Sequence, residues 1–381
     1  MDPIVSRHDY ATLAEAVYLN QASLGLIPAD SVEVMTRHLT ETAQHGNLHL
    51  TDEQEIRILD DLRSAGATLL GAPPECVAVM GGASAGLATA ASLIRGDGVV
   101  LVPTDFPSVT YPWLVPAARG WPDRTVTWIE DTPDRDLTEA LIEATHPGTA
   151  AVCVSAVMYA TGSQISSARL ARHAHAVGAR LIVDATQLAG AGPVDMTGWE
   201  ADVVVTSGYK WLSGHGGAAL LAVAPDLLDL LPPQPGWMGT EGPFSFDARH
   251  LRPARGARRF EQSTIAYASA LGLTQSVTRL NALGYDMIAA HARALADELI
   301  DTVEPLGWRP HRPLDDPSAS AHVVALRHPT LDAATVQRRL HDEHSVITSA
   351  RLGAIRVSLH VYNDSSDVEA LANALTLIGG R

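Results

Sequence analysis

One lysine stands in the whole chain. It is Lys210, in the stretch TSGYKWLSG (206–214), and the other 26 of the 27 basic residues are arginine. On most solvated surfaces the two residue types are interchangeable. They are not interchangeable where an amine must lose its proton and form an imine, which a guanidinium cannot do. Lys210 therefore reads as an amine kept for its chemistry, with a chance survivor on the surface as the plain alternative. Upstream, LIVDATQ puts Asp184 at a strand end with Gln187 one turn on. Taken alone, Asp184 reads equally well as a helix N-cap. Further upstream, GGASAG (81–86) follows a strand and opens a helical run, LATAASLI. Small residues there let backbone N–H groups approach an anion. Ser84 adds a hydroxyl, and a helix N-terminus favours negative charge.

An imine-forming lysine, a carboxylate at a neighbouring strand end and a phosphate cradle form one constellation. Pyridoxal 5′-phosphate (PLP) needs all three: an amine for its aldehyde, a carboxylate that keeps its pyridine nitrogen protonated, and a helix start for its phosphate. A rival reading exists for the glycine-rich turn. Residues 82–86, GASAG, match G-x-S-x-G, the nucleophile elbow of α/β-hydrolases. That architecture takes one oxyanion N–H from a loop preceding the elbow, whereas the HGG here, His215 to Gly217, follows it. No downstream histidine is singled out by its surroundings. A serine hydrolase using Ser84 stays as the outside alternative, and a plain strand-to-helix turn as the bland one.

These groups need a frame. From about residue 76 to 224 short apolar runs (CVAVMG, GVVLVPT, TAAVCVSAV, ARLIVDA, DVVVTSG, AALLAVA) alternate with helical patterns such as SARLARHAHAVGA. Strands buried on both faces and joined by helices predict a mostly parallel α/β sheet. In such sheets ligands bind beyond the carboxyl ends of the strands. Those ends carry MGGASAG, PTDFP, AVMYATG, VDATQ and TSGYK, which should open onto one crevice. A Pro- and Gly-rich stretch (231–246) follows, then a long helical pattern (265–303), then a mix of short strands and helices. The expected division is an N-terminal segment 1–15 packing on the small domain, a large domain 16–263 and a small α+β domain 264–381.

Composition narrows the function classes. Hydrophobic residues make up 46% of the 381, enough for a sizeable core, and charged residues only 18%, which excludes a disordered chain. The net charge of −16 argues against a nucleic-acid or anionic-membrane partner. Two cysteines, Cys76 and Cys153, sit in apolar runs and read as buried thiols rather than a disulfide. No secretory pattern opens the chain and no apolar run is long enough to span a bilayer, so a cytoplasmic protein is expected. The histidine pairs 173/175 and 341/344 match no ligand motif, and no metal is expected.

VDATQ…DVVVTSGYKWLSGHGG resembles the class V aminotransferase and cysteine desulfurase group of fold-type I PLP enzymes. The resemblance takes in YLNQASLG (18–25), GGASAG, RRFEQST (258–264) and IRVSLHVYN (355–363). It implies a large domain with a mainly parallel seven-stranded sheet and a small α+β C-terminal domain. It implies Lys210 as the amine that binds PLP, Asp184 at the pyridine nitrogen and Gln187 at the ring oxygen. Ala83, Ser84 and Ser207 would hold the phosphate. Tyr209 stands where the group usually has a phosphate-binding histidine, and Phe106 where an aromatic or His stacks on the ring. Tyr159 replaces a usual Asn near the ring oxygen. Thr264 would reach the phosphate of a partner subunit, implying a homodimer with shared active sites. Arg356 would grip the substrate α-carboxylate, a bidentate task that suits guanidinium, with Asn20 beside it; a strand-end surface charge is the plain alternative.

The reaction is harder to read. Desulfurases of this group carry a cysteine on a loop shortly before the Arg356 motif, and HSVITSARLGAIRVS contains none. YLNQASLG and PGWMG resemble the isopenicillin-epimerase-like branch, which includes enzymes handling cysteine conjugates in lincosamide assembly. A C–S lyase acting by β-elimination on a cysteine S-conjugate is the expectation. Transamination, epimerisation and decarboxylating deamination are the alternatives, and a binding module without turnover is the non-enzyme one. WMGTEGPFSF (237–246) reads either as a lid for a large substrate or as a packed crossing between domains.

Overall fold

The apolar runs become the strands of one large sheet. In a computed structural model that describes residues 1–115 and 124–380, a two-residue strand β1 (Val17–Tyr18) and two helices, α1 (Ala29–His45) and α2 (Asp52–Leu70), lead into it. The sheet is built from β2 (Val77–Met80), β3 (Gly98–Leu101), β4 (Thr125–Trp128), β5 (Thr149–Ser155), β6 (Arg180–Asp184), β7 (Val203–Ser207) and β8 (Ala219–Val223). Its order is β2-β8-β7-β6-β5-β3-β4. All neighbours run parallel except β8, which is antiparallel to both β2 and β7. Helices α3 (Ala83–Leu93), α4 (Pro107–Thr110), α5 (Leu137–Ala144), α6 (Ser167–Ala176) and α7 (Met196–Trp199) fill the connections.

Two buried clusters flank the sheet. Val79, Val154, Val183 and Val204 belong to one, and Ala78, Cys153, Ile182 and Val205 to the other. The alternation along each strand sends neighbouring side chains to opposite faces, and both faces are covered. That is why these runs read as continuous apolar segments. β4 is different: it lies at the sheet edge with its side chains mostly exposed. It lacks an apolar run, so its sequence carries no strand signal.

The long helical pattern at 265–303 is two helices, α8 (Tyr267–Leu283) and α9 (Tyr285–Val303). They break at Gly284, whose φ of +84° suits glycine and ends the first helix. α8 packs on α1 and α2 and contributes Ala270, Leu273, Val277 and Leu280 to the core of the large sheet. α9 contributes Leu295, Leu299 and Val303 to a separate core. Ile288, one turn into α9, still belongs to the core of the large sheet, so the change from one core to the other falls within α9. The smaller unit then runs β9 (Arg309–Pro310), β10 (Val323–Arg327), α10 (Ala333–His344), β11 (Val346–Ile347), β12 (Ser349–Arg351), β13 (Ala354–Ser358) and α11 (Ser365–Gly379). Its antiparallel sheet has the order β12-β13-β10-β9.

The N-terminal residues bind to that unit. Ile4 N–H donates to Val361 O at 3.0 Å, and Arg7 pairs with Asp364 and Asp367. β1 then pairs in parallel with β11. This anchoring delivers the next turn, residues 19–25, to the C-terminal ends of the large sheet's strands.

Candidate active site

The parallel strands end around one cavity of about 180 Å³. Its walls include Gly81 to Ser84, Phe106, Ser155, Tyr159, Asp184, Gln187, Ser207, Tyr209 and Lys210. Each comes from the end of a strand or from the turn or helix start that follows one, where ligands of such sheets bind.

Lys210 sits in a turn held by the N-terminal segment. Gly25 N–H donates to Tyr209 O at 2.9 Å, and Gln21 Nε2 donates to Lys210 O at 2.9 Å. The Lys210 side chain is only 6% exposed, and its Nζ lies 5.1 Å from the centre of the Phe106 ring. No described carboxylate forms an ion pair with it. Burial lowers the amine to about 8, and Asp184 opposes that shift while Arg356 and Arg351 reinforce it. A lysine with such a pKa carries a sizeable neutral fraction near neutral pH, as a nucleophile or base must.

The turn leaves no room for a side chain at residue 25. A methyl group there would meet the Lys210 carbonyl oxygen well inside van der Waals contact, and Gln21 Nε2 at 2.8 Å. Gly25→Ala is expected to cost about 1–3 kcal/mol of stability and to weaken cofactor retention. Thermal unfolding checks it; an unchanged melting temperature would show that the turn yields freely.

Asp184 closes β6. It is buried, its Oδ1 accepts Thr186 N–H at 2.9 Å, and burial raises its pKa while Thr186 and Lys210 pull it back. Gln187 accepts Trp211 Nε1–H on Oε1 at 2.7 Å and donates Nε2–H to Ala22 O at 3.1 Å. Those two bonds fix which end of the amide carries hydrogens and leave one N–H to spare.

Opposite, α3 begins at Ala83. The N–H groups of Ala83 and Ser84 have no acceptor among the described residues, as expected of a first helical turn. A Cβ at Gly81 or Gly82 would meet nothing within 4 Å, so open space lies beside this turn. Ser84 Oγ hydrogen-bonds Ser108 Oγ at 2.7 Å, and not an imidazole. Ser207 N–H donates to Thr186 Oγ1 at 3.1 Å. Tyr209 is half-buried, and burial raises its hydroxyl pKa.

The family match is decided by extent. A family model described as Aminotransferase class-V covers residues 17–371. The chain belongs to the class-V aminotransferase family. A probable cysteine desulfurase from Methanothermobacter thermautotrophicus is 27% identical, with 98% of this chain and 97% of that protein aligned. A kynureninase from Deinococcus radiodurans is 30% identical over 86% of this chain and 82% of its own length. Among solved structures, a mutant of C-DES with glycine covalently linked to the PLP cofactor superposes with a TM-score of 0.85 at 21% identity. It covers 97% of this chain and 99% of its own.

A class-V aminotransferase of this fold is a PLP-dependent enzyme acting on an amino acid, and the site fits that cofactor on its own terms. A poorly solvated amine, a buried carboxylate with raised pKa and a pair of free helix N–H groups surround one small cavity. Nine of the twelve residues singled out from sequence line it: Lys210, Ala83, Ser84, Phe106, Tyr159, Asp184, Gln187, Ser207 and Tyr209. Arg356 and Asn20 stand next to it. Arg356 is 1% exposed, donates Nη1–H to Tyr159 O at 2.7 Å and Nη2–H to Asn20 Oδ1 at 3.4 Å, and also bonds Ser23 Oγ. It is no surface charge: burial and the nearby Arg351 lower it to about 9. Thr264 is apart. It is exposed and does not line the cavity.

Several participants escaped the sequence reading. Ser108, Ser155 and Thr186 line the cavity, and Ser23 holds Arg356. Asp105 lies behind it, accepting Ser155 N–H at 2.8 Å, Ser155 Oγ–H at 2.6 Å and Phe106 N–H at 2.6 Å; burial pushes it up to about 7. Ser108 and Asp105 stood beside Phe106 in TDFPS, and Thr186 inside VDATQ, so strand-end position was the usable signal. The aromatic segment 237–246 belongs elsewhere. Trp237, Phe244 and Phe246 pack on one another, and Trp237 and Phe246 line a separate cavity of about 860 Å³ that shares no residue with the Lys210 cavity.

Proposed function

We propose that this enzyme is a C–S lyase that cleaves a cysteine S-conjugate by β-elimination, giving a thiol, pyruvate and ammonia. The observation that carries the reading is the closed segment before Arg356. Where a desulfurase of this family would present its cysteine, β12 and β13 are joined by a two-residue turn, Leu352-Gly353, with φ of +44° and +73°. That geometry is a tight hairpin with no excursion toward the site. Cys76 and Cys153 are buried and line no part of the Lys210 cavity, and burial pushes both thiols up. No sulfur nucleophile is therefore placed to take sulfur from the substrate, and elimination needs none.

The chain's own residues serve this reaction as follows. Arg356 binds the α-carboxylate, backed by Tyr159 O, Asn20 and Ser23. Lys210 Nζ would take the α-proton. Asp184 would keep the pyridine nitrogen of PLP protonated, Gln187 would bond its ring oxygen, Phe106 would cover its ring, and Ala83, Ser84, Ser207 and Tyr209 would hold its phosphate. PLP, when bound, supplies the electron sink at the α-carbon. The Cβ–S bond then breaks with departure of the thiolate. The likeness of YLNQASLG and PGWMG to the isopenicillin-epimerase-like branch supports a role in natural-product assembly. An exposed Thr264 outside its own cavity supports a homodimer in which it completes a neighbouring phosphate cradle.

Incubation with S-substituted cysteines tests the reading. Stoichiometric pyruvate and thiol are expected. Pyridoxamine phosphate without thiol would replace elimination by transamination, and an aldehyde with carbon dioxide would replace it by the decarboxylating route.

A further inference from the structure

Arg356 has a companion. In the β12–β13 hairpin Arg356 faces Ser349 and Arg351 faces Ala354. Cross-strand partners share a face of the sheet, and so do alternate residues along a strand. Both guanidiniums therefore rise from the same face, as diagonal neighbours roughly 7–8 Å apart at the backbone.

Neither has a described carboxylate partner, in a chain with 43 acidic residues against 27 basic ones. Arg351 is half-buried and its one hydrogen bond runs from Nη1 to the carbonyl of Ala350 at 2.8 Å. Arg356 is almost wholly buried and its Nε has no acceptor. The two repel each other: Arg351 is the second cause, after burial, of the lowered Arg356 pKa, and its charge is also felt at Lys210. Two uncompensated like charges beside a buried site cost the empty protein free energy. One α-carboxylate accounts for one of them.

We propose that Arg351 is a specificity residue that binds a second carboxylate, carried on the substrate's side chain, so that the substrate class is acidic S-conjugates of cysteine. The proposal rests on the reading of Arg356 as the α-carboxylate clamp. Arg356 holds the carboxylate common to all amino acids, and Arg351, nearer the hairpin tip, takes an S-linked carboxyalkyl group. A neutral S-alkyl group would leave the guanidinium unpaired.

Non-reacting probes separate the two contacts. Calorimetry on the holoenzyme with glutarate and butyrate is expected to show glutarate bound more tightly. In Arg351→Ala the glutarate affinity falls on the order of 10- to 100-fold, the loss of one charge-assisted contact, to the butyrate level, while butyrate affinity stays put. Arg351→Lys keeps part of the preference, and Arg356→Ala loses both ligands. Equal weakening of both ligands by Arg351→Ala, no effect on either, or a wild-type enzyme that does not prefer glutarate overturns the proposal. Pyridoxamine phosphate or an aldehyde formed in place of thiol would sink the C–S lyase reading instead, and the calorimetric comparison would still decide this one.

Discussion

Lys210→Ala is expected to abolish the borohydride-trappable chromophore near ~420 nm and to lower turnover on the order of 10⁴-fold, the scale of losing a positioned base together with the covalent anchor. The structure makes this a sharp test. Lys210 is the only lysine, so no neighbour can take over. The remaining amine, at Met1, bonds Ser365 on the far unit. Lys210→Arg keeps the charge and is expected to be as inactive, because guanidinium does not deprotonate. A reducible adduct surviving in Lys210→Ala would disprove the assignment. The same residue leaves a mark on stability. Its folded pKa of about 8 lies below the ordinary value of 10.5. Between those values the unfolded chain binds the proton and the folded chain does not, so cofactor-free protein gains stability as pH rises from about 8 to 10.5. The full gain is about 3 kcal/mol. Lys210→Met removes that rise and is more stable than wild type below pH 8. Denaturant titrations across this range measure the difference.

Much of this site was legible because it sits where strand ends are recognisable. Val-, Ile- and Ala-rich runs buried on both faces announce β5, β6 and β7, and whatever follows them must face the ligand crevice. Lys210, Asp184 and the GGASAG turn are local in that sense. What the sequence concealed depends on contacts between distant segments. Ser23 reaches Arg356 only because β1 docks on β11 and carries the following turn across. Asp105 acts through Ser155, a neighbour only in the sheet. β4 hid because an edge strand with exposed side chains needs no apolar run. Gly284 hid inside an unbroken helical pattern because the amphipathic period resumes directly after it. Thr264 has a role only if a second copy supplies the cavity.

Asp184→Asn is expected to lower kcat on the order of 10²–10³-fold, the cost of removing one preorganised charge from a buried site, with little change in KM. The reason lies in what asparagine keeps. Its side-chain oxygen can still accept Thr186 N–H, the bond that steadies the turn after β6. Asparagine is also as good a helix cap as aspartate. Were Asp184 a cap and nothing more, the variant would be indistinguishable from wild type. The lost quantity is the negative charge, and burial already strains that charge by raising the Asp184 pKa. Cofactor-free Asp184→Asn should therefore be at least as stable as wild type while being far less active. Lys210 should also lose the larger of the two influences that raise its pKa, leaving Asp105, so its amine titrates below about 8. Stability held or increased, kcat reduced and the amine shifted down would together mark a carboxylate that serves the cofactor. An unchanged kcat would return Asp184 to the status of a cap, and with it the claim that the cavity holds a protonated pyridine would fall.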